Sequence, residues 1–398
     1  MPRRRSGVPL PPGFSSLWTT VALDLVGFGI VLPILPLYAK RFHASSATAA
    51  LLVAAFSAAS FVFSPLWGRV SDRVGRKPVL LVSLAGTAVG SLLTGLATGM
   101  PLLFVARLID GASGASVSVA QAAVADLARP DQRPRLFGLL GAAFGLGFVA
   151  GPAIGALGAV VDPRLPFLLA AGIAGVNALV AIRRLPETRQ PDAAPAHRNP
   201  VRFRPDRGVG GMLAVAFCAL VAFSGFEATF ALFGQRHLGL TLGSSAAVFS
   251  AIGVVIVVVQ GGLVRPVVAA LGEPVTLRLG LLLDAGGLVM LALTRGWVLA
   301  VPALVALTVG QGLVQTTMTS TLAGRADPRR RGQVLGLQQS AGGLARVIGP
   351  AIGGALLGSQ VSGAPYVLGA GLMVLALLLC TISLAWPEPV AVSQPEAA

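Results

Sequence analysis

The chain has 398 residues, 55% of them hydrophobic and only 11% charged, whereas a soluble globular domain carries roughly 25% charged residues. That composition excludes a single soluble core and describes an all-α integral membrane protein. The net charge of +15 does not mark a nucleic-acid binder, because its Lys and Arg gather in alternate loops, as the positive-inside rule requires of cytoplasmic loops.

Apolar runs recur at the length a helix needs to cross roughly 30 Å of hydrocarbon, parted by short polar or Gly/Pro-marked turns. They predict twelve transmembrane helices, over 16–38, 47–67, 79–99, 101–126, 136–160, 165–184, 211–234, 245–264, 276–294, 298–322, 334–358 and 365–386. Tails of 1–15 and 387–398 flank them, and the Arg- and Pro-rich segment 185–210 reads as a flexible cytoplasmic linker between two six-helix bundles, 16–184 and 211–386. With both termini in the cytoplasm, 23 of the 30 Lys and Arg fall on the cytoplasmic side. The first run exceeds a typical signal-peptide core and has no clear cleavage site, so it is expected to be retained. The halves resemble each other at an offset of 198 residues: "ARPDQRPRLFGL" (128–139) aligns with "ADPRRRGQVLGL" (326–337), and "GPAIG" occurs at 151–155 and 349–353. Pseudo-symmetric halves of this kind imply a substrate site between them, reached alternately from each side.

The first span, "VALDLVGFGIVLPILPLYA", carries one charge, Asp24. A carboxylate near the centre of a spanning helix costs roughly 2.5–3.5 kcal/mol, which makes an idle one improbable. After the second span comes "GRVSDRVGRKPVL" (68–80), read as a loop with a tight turn at Gly75, a carboxylate able to meet a helix N-terminus, and basic anchors at an anionic surface. Gly68, Asp72, Arg73, Gly75, Arg76 and Lys77 match every position of the signature loop of the major facilitator superfamily, and this chain resembles that superfamily. The resemblance implies a conformational latch here. The equivalent segment of the second half, 261–277, keeps Arg265 and its glycines but has no matching Asp.

In the fourth span "ARLIDGASGA" sets Arg107 three residues before Asp110, on one helix face. A guanidinium effectively cannot shed its proton, so Arg107 needs a carboxylate or carbonyls; the resemblance links this Arg to proton transfer. The fifth span places Gly138, Gly147, Gly151, Pro152 and Gly155 at the spacing of the superfamily's antiporter motif, which is typical of efflux systems. Physically, such glycines let another helix approach closely and Pro152 favours a bend. "LDLVGFGIVLPILP" (23–36) in turn resembles the first helix of tetracycline and multidrug efflux antiporters, which makes Asp24 a candidate at which proton and cation compete.

In the second half, Glu227 lies among Phe223, Phe226, Phe230 and Phe233, a grouping suited either to packing or to an aromatic, cationic or amphipathic ligand. Asp284 stands in the ninth span, Gln260 in the eighth and Arg346 in the eleventh, where Gly349, Pro350 and Gly353 repeat the fifth-span pattern. Asp126 is expected to join Arg129 and Arg133 in a structural charge group. Cys218 and Cys380 lie in apolar spans and predict no disulfide, and His43, His197 and His237 have no metal-site spacing, so neither metal nor cofactor is expected.

Together these readings predict a proton-coupled efflux antiporter of the drug or multidrug type, exporting small amphipathic or cationic compounds by alternating access. It would be multi-pass in the inner (plasma) membrane, with protons, a small molecule and the lipid bilayer as partners, and would act as a monomer. Rival readings are export of an endogenous metabolite or sugar, uptake symport, and a sensor that binds without translocating. No nucleotide loop or nucleophile constellation supports an enzyme.

Overall fold

In a computed structural model, the structure describes residues 10–114, 116–129, 132–188, 207–325, 331–358 and 363–385. These residues are all helical or connecting, and they contain twelve helical segments long and apolar enough to span a membrane. Residues 1–9 of the N-terminal tail, the whole C-terminal tail and most of the expected linker lie outside the described residues.

The first span is α1 (Phe14–Val31) followed by the short α2 (Leu35–Ala39). Pro33 and Pro36 account for the interruption, because each lacks the N–H that would continue the ladder. The second span, α3 (Ser46–Val74), runs on through the segment expected to be a loop, so Gly68, Asp72 and Arg73 are helical. Gly75 alone breaks the chain, at φ +106°, before α4 (Arg76–Gly95) begins. That backbone region is open to glycine and strained for a side chain.

The fourth span is divided, as α5 (Met100–Ser113) and α6 (Ser116–Leu127), with Gly114 ending α5. The fifth and sixth are α7 (Arg133–Val161) and α8 (Leu165–Arg184), and the seventh is α9 (Arg207–Leu238). The eighth consists of α10 (Leu242–Val258), one π-helical turn over Val259–Leu263, and α11 (Val264–Leu271). Gly272, at φ +78°, then opens α12 (Glu273–Ala292) as Gly75 opens α4. The last three spans are α13 (Trp297–Arg325), α14 (Arg331–Leu357) and α15 (Ala364–Ala385).

Two compact units emerge. The first comprises Met1–Ala44, Ala55–His197 and Leu240–Gly253, the second Ser45–Ala54, Arg198–Gly239 and Val254–Ala398. In the first, α1, α4, α6, α7 and α8 close around Leu17, Val21, Leu80, Leu84, Val119, Ala123 and Leu140. In the second, α9 packs along α14 and α15, and α12 along α13. Ser46 and Ala50, from the start of α3, belong with the second unit: Ser46 Oγ accepts a hydrogen bond from Arg236 Nη2 at 2.7 Å, and Ala50 lies against Gly354. Large apolar side chains such as Leu157, Val160 and Val298 stay exposed, as they can when the solvent is hydrocarbon.

Candidate functional site

In the first unit Asp24 comes off the middle of α1 and is 9% exposed. The break in the fourth span puts Ser116 at the first position of α6, where its hydroxyl donates to Asp24 Oδ2. Asp24 Oδ1 is buried with no hydrogen-bond partner among the described residues. A carboxyl with one satisfied and one open oxygen can take up a proton or a ligand's donor group there. Ser116 was not singled out from sequence; its signal is the Gly-rich run just before it, which ends one helix and lets the next begin at a hydroxyl.

Arg107 and Asp110 form the pair that their spacing predicts, with Nη2 2.7 Å from Oδ2 and the Arg side chain only 3% exposed. The guanidinium also reaches Thr94 Oγ1 at 3.5 Å and sits 5.7 Å from the centre of the Phe56 ring. Close packing of α4 on α5 fixes the Asp: a Cβ on Gly90 would stand 2.7 Å from Asp110 Cβ. The charge of Asp110 is felt at Asp24, which links the Asp24 and Ser116 pair to the Arg107 and Asp110 pair.

The glycines of the fifth span lie against the first. A Cβ on Gly147 would meet Leu25 O at 2.7 Å, one on Gly151 would meet Gly29 Cα at 2.6 Å, and one on Gly155 would meet Ile30 O at 3.1 Å. Pro152 sits within the continuous α7. Gly138 belongs to the same helix, but its surroundings lie outside what is described. In the second unit the matching glycines of α14 lie on α9: a Cβ on Gly349 would stand 2.5 Å from Val221 O, and one on Gly353 3.3 Å from Gly225 O, with Pro350 between them.

The signature segment is organised by Arg76. Its Nη1 pairs with Asp72 at 2.7 Å and its Nε with Asp126 at 2.9 Å. Asp126 therefore pairs with Arg76, a partner the expected grouping with Arg129 and Arg133 did not include, and the side chain of Arg133 lies outside what is described. Asp72 is exposed, as are Arg73 and the basic face beside it, while Lys77 is half-buried. Nothing stands within 4 Å of a Cβ on Gly68, so its value is not close packing. The sequence reading missed Glu187, whose carboxylate accepts hydrogen bonds from the backbone N–H groups of Arg76 (2.8 Å) and Lys77 (3.1 Å) and fills the space beside Gly75. It caps α4 with a negative charge where the helix dipole favours one. In the second half the acid stands at Glu273, which accepts from Ser320 at 2.5 Å and Thr321 at 3.3 Å.

The second unit shows how the aromatic group of the seventh span packs. Phe226 and Phe230 are buried, 5.3 Å apart between ring centres, and Phe233 packs edge-on against Tyr366. They form core, and only Phe223 of the expected ligand set keeps partial exposure. Helical periodicity is the same for both arrangements, so sequence alone does not separate them. Glu227 is half-buried and Arg346 exposed; the charge of Arg346 acts on Glu227 without a salt bridge between them. Asp284 is fully buried between α12 and α13, its Oδ1 against Gly310, with no hydrogen-bond partner of normal geometry for either oxygen among the described residues. Gln311, whose backbone lies by Asp284, likewise has its side-chain Oε1 buried without a partner among the described residues. Gln260 is exposed in the π-helical turn of the eighth span, a local geometry that often marks functional positions.

The tetracycline resistance protein, class C, of Escherichia coli is 32% identical over 375 residues, covering 90% of this chain and 93% of that protein. Multidrug resistance protein 2 of Bacillus subtilis (strain 168) is 28% identical over 385 residues, covering 94% and 95%. Among solved structures, the human organic anion transporter MFSD10 (TETRAN) superposes with a TM-score of 0.71 at 25% identity, covering 92% of this chain and 98% of that one. A mutant of a peptide transporter POT in complex with sulfate shares the fold, with a TM-score of 0.77 at 16% identity over 96% and 95% of the two chains. The profile of the Major Facilitator Superfamily matches residues 17–350, and the chain belongs to that family.

Proposed function

We propose that this protein is a proton-coupled antiporter that exports small amphipathic or cationic organic compounds from the cytoplasm by alternating access. The observation that carries this reading is the Asp24 carboxyl, buried mid-span with one oxygen held by Ser116 and the other open. Such a group binds a proton or a cation, one at a time, and that exclusion is the exchange an antiporter performs. The glycine contacts between α7 and α1 support it, because they set the helix carrying Asp24 against the helix with the antiporter pattern. So do relatives whose names record resistance to tetracycline and to multiple drugs.

In this reading both termini are cytoplasmic, the Arg107 and Asp110 pair belongs to the proton path, and the Asp72, Arg76 and Asp126 group is the cytoplasmic latch. The bundles 16–184 and 211–386 are the two moving halves, and the protein works as a monomer. Expression in an efflux-deficient bacterial host, with a drug-susceptibility panel and flux into inverted vesicles under an imposed pH gradient, tests the proposal. Uphill accumulation that collapses with the gradient is the expected result; flux in the direction of the proton gradient would instead make the protein a symporter.

A further inference from the structure

We propose that Arg346 is an anion-binding residue, and that the substrates of this protein carry a carboxylate or another delocalised anionic group in addition to any cationic one. The proposal deepens the transport reading above and rests on it for the route, although binding itself does not depend on transport.

Arg346 lies twelve residues after Val334 and eleven before Leu357, the ends of the eleventh span, about 18 Å along the helix from its start. That is the middle of the span. A guanidinium cannot neutralise itself by losing a proton, and a charge there is costly unless it is paired or wet. Arg107 shows how this chain treats a buried arginine: its side chain is 3% exposed and has a carboxylate at 2.7 Å. Arg346 is arranged in the opposite way. It is exposed, and among the described residues it has neither an ion pair nor a hydrogen bond. Glu227, in the same unit, is near enough to feel its charge yet makes no salt bridge with it, so the planar fork of donors stays open.

Gln339, seven residues earlier and on the same helical face, is exposed as well. Two exposed polar side chains on one face within the span belong on water rather than on hydrocarbon. A guanidinium presented to water matches the paired oxygens of a carboxylate, which it can grip bidentately. Paired anionic oxygens are also the chemistry of a lipid headgroup, but headgroups lie at the ends of the span and Arg346 lies at its middle, which favours a solute. Glu227 then becomes the internal competitor: its carboxylate offsets the charge of Arg346, and removing that carboxylate leaves the guanidinium to the ligand.

The test uses the purified full-length protein in phosphatidylcholine nanodiscs, with 2-naphthoate as anionic probe and tetraphenylphosphonium as cationic probe. Wild type is expected to bind both saturably. Arg346→Gln should weaken 2-naphthoate at least tenfold while tetraphenylphosphonium binds as well or better. Arg346→Lys, which keeps the charge and loses the fork, should fall between, and Glu227→Gln should tighten 2-naphthoate several-fold. No saturable 2-naphthoate binding by wild type, or equal affinity in wild type and Arg346→Gln, overturns the proposal. So does displacement of 2-naphthoate by added phosphatidylglycerol that is retained only when Arg346 is present, since the site would then hold lipid. Arg346-dependent binding together with no flux in proteoliposomes would leave the anion site standing and remove the transport reading instead.

Discussion

Gly29 of the first span and Gly151 of the fifth meet backbone to backbone: a Cβ on Gly151 would stand 2.6 Å from the Gly29 Cα. No side chain fits there without parting the helices. Gly151→Leu should therefore lower transport by more than tenfold, and Gly349→Leu should do the same in the second unit, where the Cβ would stand 2.9 Å from Gly225 N. Initial efflux rates normalised to membrane protein level check this. Rates near wild type in either variant would show that close approach is dispensable at that pair.

The ion pair between Arg107 and Asp110 is 2.7 Å long and almost fully withdrawn from solvent. Removing one member leaves a buried charge uncompensated, which costs about 3–5 kcal/mol, whereas replacing both leaves none. Arg107→Gln and Asp110→Asn should each lower the midpoint of thermal unfolding in detergent, and the double variant should regain much of the loss. If the pair also carries protons, the double variant stays inactive although it is folded. A folded double variant with full pH-driven efflux would confine the pair to structure.

Glu187 accepts two backbone N–H groups at the start of α4. Glu187→Ala strips that cap and should destabilise the protein by about 1–2 kcal/mol, the range of a lost helix cap. Gly75→Ala should be worse, since it adds a side chain at φ +106° in the space the Glu187 carboxylate occupies. Thermal unfolding ranks the two. The comparison fails if Gly75→Ala is the milder change.

The spans were legible because hydrocarbon thickness dictates their length and composition; the pairing of Arg107 with Asp110 was legible because helical geometry alone brings positions three apart together. The reach of α3 to Val74 was not, because its last turns are polar and only the conformation of Gly75 ends them. Ser116 and Glu187 were missed for a different reason. Their partners, Asp24 and Arg76, are 92 and 111 residues away in sequence, and neither residue is unusual in type. Phe226 and Phe230 show the limit from the other side: their spacing describes a face, and what that face meets is decided by Tyr366 and the neighbouring helices.

Asp24 provides the closing test, because its two oxygens have different surroundings. Asp24→Asn keeps the shape, and its amide oxygen can still accept the Ser116 hydroxyl, so the variant should fold, yet it no longer takes up and releases a proton. Uphill, pH-driven export of cationic substrates should disappear, and their affinity should fall because the negative charge is gone. Asp24→Glu should retain partial coupling, since it restores an acid displaced by one methylene. In wild type a proton on the carboxyl removes the charge a cation binds, so cation affinity should weaken as pH falls, and Asp24→Asn should flatten that dependence. Ser116→Ala separates the hydrogen bond from the charge: it should shift the pH at which affinity changes while leaving coupled export in place. Equilibrium binding of a cationic substrate across pH, run in parallel with vesicle efflux for all four proteins, decides the matter. Undiminished pH-driven export of cations by Asp24→Asn would remove Asp24 from the coupling step and make Glu227, half-buried and within the field of Arg346, the acid to examine next.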